Sequence, residues 1–202
     1  MIRAAIILKP AGRIDRRAFT IFELIIVMAL LVTIVGLLWP ALDNLHTEYR
    51  LRQAGQLVQA RMAGARVHAI DWGMPWQFRY EPGGQRFIVV PYDQQSLYSQ
   101  TNAAKKPPRV AGVLPSTRAS FDAGGLLANG GQSVDPGWFS GMPNAEDFSG
   151  VAWSAPLVFH PDGTSGAARV VIRDKNSRIV TVSVRALTGG VTVSKIEKGG
   201  TP

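Results

Sequence analysis

The longest uninterrupted apolar stretch of the chain lies close to its start. Between Leu24 and Leu42 no charged residue occurs, and Thr33 is the one polar side chain. At about 1.5 Å per residue, a helix over this stretch is ~28 Å long, close to the ~30 Å of a bilayer core. The pattern predicts a membrane-spanning helix over residues 19–42, with a buried helix of a soluble protein as the alternative. A cleavable secretion signal fits less well, because its apolar part spans only ~7–15 residues.

Over residues 43–72 the apolar positions become periodic. Residues at spacings of three and four predict one buried helical face, made of Leu51, Ala54, Val58, Met62, Ala65 and Ala69. Gly55 and Gly64 each weaken the helix by up to about 1 kcal/mol but permit close packing. Gly73 and Pro75 end it. The two stretches together predict one long helix with an apolar half and an amphipathic half.

Beyond residue 73 the pattern is that of short strands. Residues 76–80 and 86–90 flank Gly83-Gly84 and predict a hairpin. Further strands are predicted at 155–160, 169–173, 179–185 and 191–193, each next to a turn sequence. The predicted fold class is α+β, with the long N-terminal helix packed on a small antiparallel β-domain over residues 73–198.

Within that domain, residues 91–150 differ in composition. They are rich in Gly, Ser and Asn, and they predict a long variable insertion with a few short strands. Trp138, Phe139 and Trp153 are expected to anchor this insertion on the sheet, and a partner surface is the alternative.

Basic charge is concentrated ahead of the apolar run. Residues 1–18 hold five basic residues and one acidic residue, a net +4 of the chain's +8. A basic leader stays on the cytoplasmic side, so the C-terminal domain is expected to face outward. Charge in a leader is a targeting signal. The excess of +4 that remains makes the rest of the chain only mildly basic, which gives little support for a nucleic-acid partner. The chain has no cysteine, which excludes disulfides and thiolate sites.

Glu23 is an acidic residue at the N-terminal edge of the apolar run. A carboxylate there costs a few kcal/mol unless it is paired or reaches the interface. In one interpretation Glu23 reaches the lipid headgroups. In the other, cleavage before Phe19 frees an ammonium four residues upstream, and Glu23 of one subunit pairs with the amine of another and fixes the register of assembly.

This part of the chain resembles the N-terminus of type IV prepilins, over about 25 residues that run from RRAFTIFEL to Pro40. The resemblance implies cleavage between Ala18 and Phe19 by a prepilin peptidase, N-methylation of Phe19, and an assembly role for Glu23. Pro40 stands where many pilins have a helix-kinking proline. Ala18 departs from the pattern, because the family usually has glycine there.

The C-terminal half resembles the GspH/FimT group of minor pseudopilins. The resemblance rests on the segments ARMAGARVHAI, FHPDGT and LTGGVTV, which include Phe159, Asp162, Gly163, Thr188 and Gly189. It implies a structural subunit of a type II secretion pseudopilus, first held in the inner membrane with its β-domain in the periplasm. The implied partners are the peptidase, other pseudopilins or pilins, and membrane lipid. The alternative is a minor pilin of a type IV pilus that takes part in DNA uptake.

Residues that could carry chemistry are scattered. His46 and His68 are 22 residues apart, about 33 Å along one helix, and so do not share a metal. His160 beside Asp162 is a candidate partial metal or acid–base site, or Asp162 caps its own turn. A membrane-anchored enzyme with a cleft at these two residues is therefore a third class of function. We expect no enzyme activity, cofactor or metal.

Two further charged segments were considered as binding sites. Glu146-Asp147 is either a solvated pair or a source of Ca²⁺ ligands. Residues 194–200 form a small, mildly basic tail, which is thin support for contact with phosphates.

Overall fold

The computed structural model describes residues 20–92 and 107–199, except for residues 117, 126, 129, 130, 132, 133, 135, 140, 141 and 143. The predicted leader over residues 1–18 and the predicted cleavage residue Phe19 lie outside this range. The chain divides into two compact units, Met1–Asp43 and Asn44–Pro202.

One α-helix, α1, runs from Ile21 to Trp72 and holds 52 residues, in agreement with the prediction of one long helix. Its last part belongs to the second unit and packs there on antiparallel sheets. All six residues predicted for the buried face are confirmed, because each is at most 1% exposed. Gly73 ends the helix with a φ of +64°, the left-handed conformation that glycine adopts without a steric cost.

Nine strands follow in the described part of the chain, and every pairing between them is antiparallel. They are β1 (Trp76–Tyr80), β2 (Arg86–Pro91), β3 (Val110–Val113), β4 (Ala119–Phe121), β5 (Leu157–Phe159), β6 (Ala168–Asp174), β7 (Arg178–Val184), β8 (Val191–Val193) and β9 (Glu197–Lys198). The first sheet has the order β3-β2-β1-β5 and the second has the order β4-β6-β7-β8, with β9 also on β7. The α+β class and the hairpin are confirmed, but the single sheet that the sequence predicted is replaced by two sheets.

The main core lies where α1 meets the inner faces of both sheets. The aromatic side chains of β1, β4 and β5 fill it, among them Phe78, Phe121 and Phe159. At Gly55 of α1, an added Cβ would lie 2.6 Å from Cγ1 of Val180 in β7. The close packing expected of this glycine is therefore present, and it brings the helix directly onto the second sheet.

Described residues late in the insertion, with Trp153 after it, form a layer on the other face of the first sheet. Ile88 and Val90 of β2 pack there against Phe139, Phe148 and Trp153. The predicted anchoring of Phe139 and Trp153 is thereby confirmed, and Trp138 packs at the edge of the same cluster, half-buried. The described part of the insertion is thus folded onto the domain, and it also supplies β3 and β4 of the two sheets.

A buried arginine holds this layer to the sheet. Arg79 of β1 is only 6% exposed. Its Nε donates to Oε1 of Gln77 at 2.8 Å, and its guanidinium lies 5.6 Å from the ring centre of Trp138. Burial lowers the pKa of Arg79, while the negative potential of Tyr92 opposes that shift. The hydrogen bond and the ring contact compensate part of the cost of burying the cation.

Ser194 and β9, which lie in the segment predicted as a basic tail, belong to the second sheet. Ser194 donates its N–H to the carbonyl of Thr181 at 2.9 Å, and the N–H of Thr181 donates to Oγ of Ser194 at 3.0 Å. Ser194 thus lies between β8 and β9 and continues their pairing with β7. The pairing is irregular here, because the Ser194 side chain accepts the bond that a backbone carbonyl would accept in a regular ladder. The prediction of a tail was wrong, because the short runs on either side of Ser194 both pair with β7.

Candidate functional site

The N-terminus of α1 is fixed by a threonine cap. The N–H of Glu23 donates to Oγ1 of Thr20 at 3.2 Å, and the N–H of Leu24 donates to the Thr20 carbonyl at 3.2 Å. Thr20 is therefore the N-cap and Glu23 the third helical residue, the spacing of a capping box. The Glu23 carboxylate also lies in the first turn, where the helix dipole stabilises negative charge by about 0.3–1 kcal/mol. Stabilisation of the helix start is thus a third role for Glu23, beside the two that the sequence suggested.

The segment that follows Glu23 exposes its apolar side chains on every side. From Ile21 to Leu38 its large apolar side chains are between 44% and 81% exposed. The same 18 residues have a mean hydropathy of 2.9 and are long and apolar enough to cross a membrane, the one such segment in the described part of the chain. The hydroxyl of Thr33 donates to the carbonyl of Ala29 at 2.8 Å, so this polar group is satisfied within the helix. A core helix of a soluble protein can be as long and as apolar, but it is mostly buried, and this segment is not.

In the second unit, Arg66 of α1 connects two turns that are distant in sequence. Its Nε donates to the carbonyl of Gly163 at 3.1 Å, and an added Cβ at Gly189 would lie 2.8 Å from its Cδ. The φ angles of Gly163 and Gly189 are +83° and +57°. The carbonyl of Ala186 accepts the N–H of Ser165 at 2.8 Å, which joins the same two turns.

This arrangement explains the motif pattern in the C-terminal half. Asp162, Gly163, Thr188 and Gly189, on which the second resemblance rests, belong to the two turns beside Arg66. Both glycines are required by backbone conformation and by the room that the arginine takes. The separate motifs therefore form one structural feature.

Asp162 caps its own turn. Its Oδ1 accepts the Thr164 hydroxyl at 2.7 Å and the Thr164 N–H at 2.9 Å. These two bonds, with a smaller contribution from nearby His160, lower the pKa of Asp162. The interpretation of Asp162 as a turn residue is confirmed, because its carboxylate oxygen accepts both hydrogen bonds from Thr164.

The other candidate ligands lie apart. His46 and His160 are exposed, and the His68 ring lies 4.8 Å from that of Trp76 at the end of the core. Glu146 and Asp147 are exposed in a 3₁₀ turn, Ala145–Phe148. Among the described residues, no group of three or more His, Cys, Asp or Glu is placed to hold a metal ion.

Of the predicted site residues, Glu23 lies in the described range and Ala18 and Phe19 do not. Reasoning from the sequence missed Thr20, although threonine three residues before a glutamate and ahead of an apolar run is a known signal of a helix start. It also missed Arg66, for which no local signal exists, because its partners are 97 or more residues away. Searches of protein-family models, of curated proteins and of solved structures find no match to this chain.

Proposed function

We propose that this chain is a pilin-like structural subunit, a minor pseudopilin of a type II secretion apparatus. In this proposal prepilin peptidase removes residues 1–18, Phe19 becomes the methylated N-terminus, and the apolar half of α1 holds the subunit in the inner membrane. The β-rich unit lies in the periplasm until the subunit joins the pseudopilus. The subunit serves as a structural element and as the peptidase's substrate.

One observation carries the proposal: the all-round apolar, exposed segment Ile21–Leu38 begins with a carboxylate in its first turn. A helix that is apolar on every side requires a lipid or a packed-helix environment. In a lipid anchor alone, Glu23 would serve only the helix start or the lipid headgroups, and a carboxylate at that edge weakens insertion. An anchor that also packs against other subunits gains from a charge that fixes register.

The architecture of the second unit supports the same proposal. The helix that begins at the anchor supplies the central core face of an antiparallel β-unit, through Leu51, Val58 and Met62. The second unit thus builds its core on the part of the helix that follows the anchor in sequence. That is a suitable construction for a filament in which the helices assemble and the domains face outward.

Intact-mass analysis of the membrane-extracted protein tests the processing step. We expect a mass that begins at Phe19 and carries one added methyl group when the chain is expressed with a prepilin peptidase. The matched control is the same chain without the peptidase, which should keep its leader. Ala18→Gly should be processed at least as completely, since glycine is the residue usual at this position. A full-length mass in the presence of an active peptidase would overturn the proposal.

The absence of native cysteine makes topology directly measurable. Leu187 is 86% exposed, so Leu187→Cys places one reactive thiol on the surface of the β-rich unit. A membrane-impermeant maleimide should label this thiol in spheroplasts without lysis. Labelling only after lysis would place the unit in the cytoplasm and contradict the proposed orientation.

A further inference from the structure

A cavity of about 350 Å³ lies beside β4 in the second unit. The side chains of Ala119 and Phe121 are buried in the core, so Ser120 between them points away from the core, and it lines the cavity. The turn between β1 and β2 borders the cavity on one side, since Gly83 donates its N–H to the carbonyl of Phe121 at 2.9 Å. Small-molecule sites usually have volumes of about 300–1,000 Å³, so this cavity is large enough for a small ligand.

Two cations line the cavity from opposite positions on neighbouring elements. Lys175, in the turn after β6, donates its N–H to the carbonyl of Arg118, just before β4, at 3.2 Å. This bond continues the ladder of β4 and β6 by one position, so the two Cα atoms are ~5.5 Å apart. Like charges directly opposite each other are destabilising. An anion bound between Arg118 and Lys175 would replace that repulsion by attraction to both.

The carboxylates of the surrounding elements do not balance these two cations. Three carboxylates belong to those elements in the described chain, and each is paired with an arginine that does not line the cavity. The pairs are Glu81 with Arg86 at 3.3 Å, Asp122 with Arg173 at 3.4 Å, and Asp174 with Arg178 at 2.9 Å. Asp174, which itself lines the cavity, also accepts the backbone N–H groups of Asn176 and Arg178. The lining thus carries two positive charges beyond these pairs.

The groups that line the cavity are suited to a doubly charged oxyanion. Lysine binds phosphate as a point charge, and arginine binds it through several parallel N–H donors. Arg118 also interacts elsewhere in the chain, but a guanidinium has five N–H donors, so other contacts leave it able to bind. The Ser120 hydroxyl supplies a further donor. A phosphate monoester carries about −1.5 to −2 charges at pH 7, which matches two cations better than a single carboxylate does.

We propose that this cavity binds a phosphate group between Arg118 and Lys175, with the Ser120 hydroxyl as a further donor. The phosphate is either the free anion or part of a small organic molecule, since the charges and donors are the same for both. Gln85 helps to form the wall, because its amide donates to the carbonyls of Ser116 and Ala119. The site does not depend on the proposed function, because it lies wholly within the second unit.

Urea unfolding of the full chain in detergent micelles, followed by near-ultraviolet circular dichroism, tests the site. A ligand that binds only the folded chain raises the urea midpoint by mass action. Inorganic phosphate should therefore raise the midpoint, and sodium chloride of equal ionic strength should not. Lys175→Gln should require about tenfold more phosphate for the same shift. Lys195→Gln is the matched control, because Lys195 is exposed and does not line the cavity, and it should leave the response to phosphate unchanged.

Two further measurements separate the cavity from its charges and identify the form of the phosphate. Ser120→Val keeps every charge and suits a strand, but it removes the hydroxyl and fills part of the cavity, so it should fold and respond less to phosphate. Glycerol 3-phosphate should act at a lower concentration than inorganic phosphate if the cavity also holds an organic group. Equal potency of the two would identify the free anion as the ligand.

Three results would overturn the proposal. The first is a phosphate shift no larger than that of sodium chloride. The second is an equal loss of the shift in Lys175→Gln and Lys195→Gln, which would indicate diffuse attraction to surface charge. The third is an unchanged response of Ser120→Val, which would place the anion outside the cavity. Each shift is measured from the variant's own midpoint, so a loss of stability is not mistaken for a loss of binding. These variants leave the leader and α1 intact, so this test and the test of the proposed function fail independently.

Discussion

The two halves of α1 share one secondary structure and differ in the side chains that they expose. In the half from Ile21 to Leu38 the large apolar side chains are at least 44% exposed, whereas six residues between Leu51 and Ala69 are at most 1% exposed. The first half is apolar on every side, and the second is apolar on the one face that its own sheets cover. The comparison shows that a helix with a single apolar face completes its packing within the chain. A helix without a polar face depends on what surrounds the chain.

A valine-to-aspartate substitution should affect a different property in each half of α1. The largest effect that we expect is on the folding of the second unit. Val58 is fully buried, so Val58→Asp places an unpaired carboxylate in the core at a cost of several kcal/mol. That cost approaches the whole stability of a typical domain, about 5–15 kcal/mol. We expect loss of the tertiary near-ultraviolet circular dichroism of the buried tryptophans.

Val32→Asp is the matched variant in the first half. Val32 is 71% exposed, and aspartate at the centre of a spanning helix costs about 2.5–3.5 kcal/mol of insertion free energy. We expect the membrane-bound fraction to fall in carbonate extraction while the tertiary signal of the second unit is kept. If Val32→Asp unfolded that unit as Val58→Asp does, the distinction between the two halves would be wrong.

A second pair of variants sharpens the contrast within the amphipathic half. Gly55→Ala forces a methyl group against Val180, and overpacking of this kind costs about 1–3 kcal/mol. Gly64→Ala meets no described neighbour and should raise the free energy of unfolding by about 0.4–1 kcal/mol, because alanine restricts the unfolded chain. Urea midpoints of the full chain in detergent measure both. Equal shifts in one direction would contradict the assignment of the two glycines to different surroundings.

The features that the sequence predicted well are those that depend on near neighbours along the chain. The buried face of α1 follows from spacings of three and four, and the hairpin from Gly83-Gly84 between two β-rich runs. The end of α1 follows in the same way, since Gly73 supplies its left-handed residue. Each of these signals acts over a few residues and does not require knowledge of the rest of the fold.

The features that the sequence did not predict depend on distant pairings. β4 pairs with β6 although about 50 residues separate them, and Arg79 is buried only because the insertion folds back over β1. From the sequence, Arg66 is expected to be a solvated helix residue. In the structure it contacts two turns that are remote in sequence. For the candidate site the limit is different. Glu23 was proposed as a site residue from its chemistry, whereas the cap at Thr20 was overlooked despite a local signal.

Two substitutions distinguish the proposed registering role of Glu23 from its role at the helix start. Their expected effects on the chain itself are smaller. Glu23→Gln keeps an oxygen acceptor at the third helical position and so preserves a capping box, while it removes the charge. Glu23→Val removes both. If the charge fixes register between subunits, both variants should be inserted in the membrane but poorly incorporated into assemblies, as measured by crosslinking of filament fractions. If Glu23→Gln assembles like the native chain, Glu23 acts through the helix start and the registering role fails.

The smallest expected effect concerns the turn at Asp162. This turn lies in the second unit, together with the amphipathic half of α1. The pKa of Asp162 is lowered in the folded chain, chiefly by the Thr164 hydroxyl. A lowered folded pKa contributes stability above the ordinary value of ~3.9, and that contribution is lost as the pH falls through the folded value.

Asp162→Asn should therefore be less stable than the native chain at pH 7, and the difference in urea midpoints should close as the pH falls below about 4. Thr164→Val removes the hydroxyl that donates to Asp162 at 2.7 Å, so in that background the pH-dependent difference should shrink. A difference that stays constant from pH 7 to pH 2 would show that the asparagine acts through the shape of the turn and not through the charge. The ionised carboxylate would then be no part of what holds the two turns beside Arg66.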